Sequence, residues 1–104
     1  MEKFLTMHEL YALISGYRDL LVYNILPCGS ILAAHFPTDH IHMNDKFGVT
    51  TMLIQSGGDI FYLKEPPHDS GTDYRFRCLV ANDSSDCKLE LFNGETPITL
   101  CLRQ

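Results

Sequence analysis

No apolar run in this 104-residue chain approaches the ~20 residues that cross a membrane as a helix. The opening Met1-Glu2-Lys3-Phe4 has neither the apolar core nor the cleavage site of a secretory signal. A cytoplasmic, intracellular protein without membrane contact is the expectation. Basic residues are also scarce: eight Lys and Arg stand against 13 Asp and Glu, a net charge of −5 with His neutral. Such a chain lacks the basic stripe that displaces counterions from a phosphate backbone, so direct nucleic-acid binding is not expected. The four cysteines, Cys28, Cys78, Cys87 and Cys101, include no C-x-x-C pair, which excludes a zinc knuckle and a thioredoxin-type site. They read as reduced and mostly buried, with Cys78 and Cys87 close enough across a short connection to oxidise. Signatures for phosphate cradles, nucleophile elbows and H-E-x-x-H zinc sites are all missing.

What is present is enough for one domain. At 45% hydrophobic and 20% charged, the chain has globular composition and the length of a single unit, 1–104. Thr6-x-x-Glu9 is a capping box, in which the Thr hydroxyl and the Glu carboxylate each satisfy the other's backbone N–H. Leu10, Leu13, Ile14, Tyr17, Leu20 and Leu21 then fall on one side at helical spacing, predicting one amphipathic helix to about residue 21 across Gly16. Pro27 ends any continuation.

Short strands between turn signals follow: Ile31–Phe36, Val49–Gln55, Ile60–Lys64, Tyr74–Ala81, Cys87–Phe92 and Glu95–Arg103. Ser56-Gly57-Gly58-Asp59 and Asn93-Gly94 are the hairpin signals. The fold class predicted is α+β, an N-terminal amphipathic helix packed on an antiparallel sheet of about five to six strands, arranged as a meander.

Two stretches point to chemistry. Along His35-Phe-Pro-Thr-Asp39-His40-Ile-His42-Met-Asn-Asp45, alternate strand residues share a face, so His40 and His42 present two imidazoles to one metal. His35, Asp39 or Asp45 supplies a third ligand, and His68 a distant fourth. A divalent transition metal such as zinc is the cofactor this reading requires. Cys28, in a Pro-Cys-Gly turn, has no base at a spacing that would make it a nucleophile.

The second source is surface. If Tyr74, Phe76, Cys78 and Val80 face the helix, Arg75 and Arg77 point outward beside Lys88, Glu90, Thr99 and Arg103, with an Arg75–Glu90 cross-strand pair. The loop Glu65–Asp73, bearing Glu65, His68, Asp69 and Asp73, is long for a compact domain, and such loops often bind partners. The acidity is uneven: nine acids against four bases lie in residues 1–73, and four of each follow. A non-enzymatic protein-binding module is the first expectation. It would be an inhibitor or accessory protein, of the kind viruses and mobile elements encode, that blocks a larger host enzyme or complex. On that reading it needs no cofactor, and its acidity suits a basic, nucleic-acid-binding partner. Unpaired sheet edges also invite a homodimer. A metal-dependent enzyme or metal-binding domain using His35, His40 and His42 is the rival.

Overall fold

A computed structural model describes residues 1–25, 31–46, 48–66, 74–83, 85–92 and 97–104, without the side chains of 24, 25, 31 and 32. The described chain forms nine strands, one α-helix and a 3-10 turn. Strand β1 (Glu2–Leu5) precedes helix α1 (Met7–Ser15), which leads to β2 (Asp19–Ile25) and β3 (Ile31–Pro37). After the 3-10 turn at Thr38–His40 come β4 (Ile41–Lys46), β5 (Val49–Ser56), β6 (Asp59–Lys64), β7 (Phe76–Asp83), β8 (Asp86–Phe92) and β9 (Pro97–Arg103). All pairings are antiparallel. Six strands form one sheet in the order β1-β7-β8-β9-β2-β3, and β4-β5-β6 form a second.

The expected α+β class with antiparallel sheet is what the chain adopts. Its details differ in three ways, each with a physical cause. The helix does not come first, because residues 2–5 pair with β7, Lys3 opposite Cys78 and Leu5 opposite Phe76. Nor does it run to residue 21. It ends at Ser15, where the Gly16 and Tyr17 N–H groups tighten onto the Leu13 and Ile14 carbonyls, at 3.2 and 3.1 Å. The Arg18 N–H then joins the sheet by donating to the Arg103 carbonyl at 2.8 Å. The apolar run that followed looked helical because β2, held between β9 and β3, carries apolar residues on both faces: Leu20 and Val22 inward, Leu21 and Tyr23 outward. Third, nine strands in two sheets replace the expected meander of five to six in one, because the chain leaves the large sheet after β3 to build β4-β5-β6. In the large sheet β7-β8-β9 and β2-β3 run consecutively, and β1 and β2 flank β7-β8-β9 from the other end of the chain.

The capping box forms as expected. The Glu9 N–H donates to Thr6 Oγ1 at 3.1 Å and the Thr6 N–H to Glu9 Oε1 at 2.9 Å. These bonds from Thr6, backbone first, hold the Glu9 carboxyl below its ordinary range. Helix α1 buries Met7, Leu10 and Ile14, and with the small sheet it covers one face of the large one. Phe36 and Phe61 meet between the sheets with ring centroids 6.3 Å apart. The core between them includes Leu20, Met52, Ile54, Leu63, Phe76, Leu89, Leu91, Leu100 and Leu102, all essentially without solvent exposure.

Two threonines fasten the small sheet. Buried Thr38 donates its hydroxyl to the Tyr17 and Arg18 carbonyls, the latter at 3.0 Å, tying the 3-10 turn to the helix exit. Thr50 gives its hydroxyl to the Asp45 carboxylate and its N–H to Glu65 Oε1 at 2.8 Å. Both small hairpins turn in two residues. Gly48 and Gly57 occupy the left-handed φ (74° and 60°) that a side chain would strain.

Candidate functional site

Side-chain direction follows from register. Inward positions of the large sheet are its core residues, so residues one step away face out, where no described element packs. Along one outward row Glu2, Leu79, Glu90, Thr99, Tyr23 and Ala33 stand side by side across all six strands. The next row is Ala81, Lys88, Cys101, Leu21 and His35, and on the other flank lie Phe4, Arg77 and Phe92. Phe4 is 48% exposed and Leu79 37%.

The histidines of the metal reading do not come together. His35 is on this outer face, its Nε2 3.2 Å from Asp19 Oδ1. His40 lies in the 3-10 turn, 3.8 Å from its neighbour Asp39. His42 faces out from the other sheet, opposite Leu53, and Asp45 is turned inward to Thr50. Among the described residues no group of three or more His, Cys, Asp or Glu is placed to hold a metal ion. His68 lies outside the described residues.

Of the expected partner-binding residues, His68, Asp69 and Asp73 lie outside the described residues. Glu65 extends the β5–β6 ladder: its N–H donates to the Thr50 carbonyl at 3.0 Å while its carboxylate accepts from Thr50. Arg75 and Arg77 are both exposed, but only Arg77 belongs to the sheet. Its Nε donates to Glu2 Oε2 at 2.7 Å and its guanidinium lies 4.8 Å over the Phe92 ring. The Arg75–Glu90 pair does not form, because Glu90 is opposite Leu79 and β1 brings Glu2 to Arg77 instead. Sequence reasoning missed Phe4, Leu21 and Tyr23 as outward residues, since it placed them before, within or just after a helix. Leu20-Leu21-Val22-Tyr23 is apolar throughout and carries no alternation to reveal a strand.

The described cysteines, Cys78, Cys87 and Cys101, are free thiols. Cys78 is opposite Leu91 and Cys87 opposite Asn82, four positions apart along β7. At ~3.4 Å per residue that exceeds the 7 Å Cα limit for a disulfide, so the expected oxidation is ruled out. Burial pushes the Cys78 thiol up to about 11. Cys87 is also raised, by burial against a counteracting hydrogen bond from Tyr17. Such thiols are poor nucleophiles. Cys28 lies outside the described residues.

The small sheet presents a different surface. Its outward positions are His42, Asn44 and Lys46 on β4, Val49, Thr51, Leu53 and Gln55 on β5, and Ile60, Tyr62 and Lys64 on β6. This set has two lysines and no carboxylate, in a chain of net charge −5. Lys46 and Lys64 border a shallow 330 Å³ depression floored by Val49 and Thr51. On the other side of β6 a 190 Å³ apolar cleft opens toward Val22, Ala34 and Ile98.

Comparison of the chain with protein-family models, curated proteins and solved structures finds no match. Among the described residues no helix is long and apolar enough to cross a membrane.

Proposed function

We propose that the chain is a non-enzymatic protein-binding module, of the inhibitor or accessory type. It acts by laying the outer face of the six-stranded sheet on a complementary surface of a larger protein. The supporting observation is the broken alternation of that face. A sheet with one solvated side ordinarily alternates apolar-in with polar-out. Here Phe4, Leu21, Tyr23, Leu79, Phe92 and Cys101 take outward positions on neighbouring strands. They are interleaved with Glu90, Lys88 and Arg77, and exposed apolar groups among charges of this kind mark interaction sites.

The face carries both signs, with Glu2, Glu90 and Asp19 against Arg77, Lys88 and Arg103. It fits a partner surface of mixed charge, and pairs of this kind set orientation and association rate more than affinity. Phe4→Asp with Leu79→Asp tests the reading, since both side chains are already exposed and the fold should tolerate the change. In affinity capture from the native cell extract, the wild-type chain should retain a protein that the double variant loses by about tenfold or more. Recovery of the same proteins by both chains, at matched circular dichroism and melting temperature, would reject the reading.

A further inference from the structure

The free edge of β6 has complementary surfaces on its two sides. The Glu65 N–H bond to the Thr50 carbonyl fixes the phase of the β5–β6 ladder, so Asp59, Phe61 and Leu63 bond to β5. The backbone N–H and C=O groups of Ile60, Tyr62 and Lys64 therefore point away from β5, and no described strand pairs with them. A strand added at this edge would send alternate side chains to opposite faces. Those beside Phe61 enter the apolar cleft, which Ile60, Phe61 and Tyr62 border together with Val22, Ala34 and Ile98. Those beside Tyr62 and Lys64 lie on the outer face, where Lys46 and Lys64 have no ion pair with a carboxylate among the described residues. Ile60 and Tyr62 are 60% and 57% exposed between the two.

We propose that β6 is a strand-addition site for an extended segment of a partner protein in which apolar and acidic residues alternate. The main-chain bonds supply affinity, and the cleft and the lysines supply selection. The site is separate from the six-stranded face, so Phe4→Asp with Leu79→Asp, which tests docking there, leaves it intact.

The probe is an acetylated hexapeptide alternating valine and glutamate, end-labelled for fluorescence anisotropy and titrated against the whole chain. A valine–lysine hexapeptide serves as its counterpart. The acidic peptide should bind about tenfold or more tightly than the basic one, and Lys64→Glu should remove or reverse that preference. Ile60→Pro deletes one outward N–H, at an edge position where proline is tolerated and the β5 ladder is untouched. It should weaken binding about tenfold or more, whereas Ile60→Ala, which keeps the N–H, should weaken it less. In the wild-type chain the amide resonances of Ile60, Tyr62 and Lys64 should shift on titration. Equal binding of both peptides, binding indifferent to Ile60→Pro, or no binding of either would overturn the proposal. So would a concentration-dependent dimer of the chain that Ile60→Pro abolishes while neither peptide binds, which would give the edge to a second copy.

Discussion

The two sheets share one core yet differ in how each strand is held. In the six-stranded sheet β7, β8, β9 and β2 have neighbours on both sides, and their inward residues Cys78, Leu89, Leu91, Leu100, Leu102 and Leu20 are almost wholly buried. In the three-stranded sheet only β5 is flanked twice. Side-chain bonds supplement its ladder, from Thr50 to Asp45 and Glu65 and from Thr38 to the helix exit. The outer surfaces differ as well. The large sheet carries charges of both signs among its outward apolar groups, whereas the small one carries two lysines and no carboxylate beside Leu53, Ile60 and Tyr62, and its β6 edge meets no described strand. Ladder bonds on both sides hold the central strands of the large sheet whatever their outward side chains are.

Core truncation gives the largest test of whether the sheets form one cooperative unit. Leu100→Ala and Met52→Ala remove fully buried side chains from the large and the small sheet. Each should cost about 2–5 kcal/mol in urea unfolding, the residual cavity deciding where in that range. Because Phe36 and Phe61 join the sheets, both variants should show a single transition detected identically by circular dichroism and tyrosine fluorescence. A separate early transition in Met52→Ala would divide the molecule into two units.

Alkali offers a second separation, because all cysteines of the chain lie outside β4–β6. The Cys78 thiol is about 11 in the folded chain, above its ordinary 9.0. Below pH 9 it is protonated whether folded or not, and the native state keeps its full stability. Between about 9 and 11 only the unfolded chain releases the proton, so stability falls as pH rises, by on the order of 2 kcal/mol once pH passes 11. Cys78→Ala should melt lower than wild type at pH 8, from the lost packing, but with a flatter decline toward pH 11. An unchanged slope would show that Cys78 is not the group responsible.

These elements differ in how far the residues announced them. The capping box, the Gly57 turn and strands β5, β6 and β8 were legible, because each is decided by a few adjacent residues. Strand β1 was not, since four residues have no period until β7 supplies partners more than seventy positions away. Strand β2 was misread because apolar residues on both faces erase the alternation that identifies a strand. The histidines show the same limit at the level of a site. Alternation correctly set His42 outward on a strand. The chain passes from the large sheet to the small one between His35 and His42, and no local spacing reports that crossing.

Arg77 and Glu2 give the finest test, a contact invisible in the sequence and exposed in the structure at 49% and 45% of their side chains. The Nε–Oε2 distance of 2.7 Å and the Phe92 ring beneath the guanidinium favour the upper end of what a surface pair contributes. A double-mutant cycle with Glu2→Ala and Arg77→Ala should therefore return a coupling of about 0.5–1 kcal/mol. It should shrink in 1 M salt, where charges are screened within about 3 Å. Arg77→Ala alone should cost more than the coupling, because it also uncovers Phe92. Lys64, the comparable outward cation of the small sheet, has no ion pair among the described residues, and Lys64→Ala should change stability by less than about 0.5 kcal/mol. Equal losses for Arg77→Ala and Lys64→Ala would remove the contrast, because the fifth strand-pairing that β1 brings to the large sheet would then have added nothing at its surface.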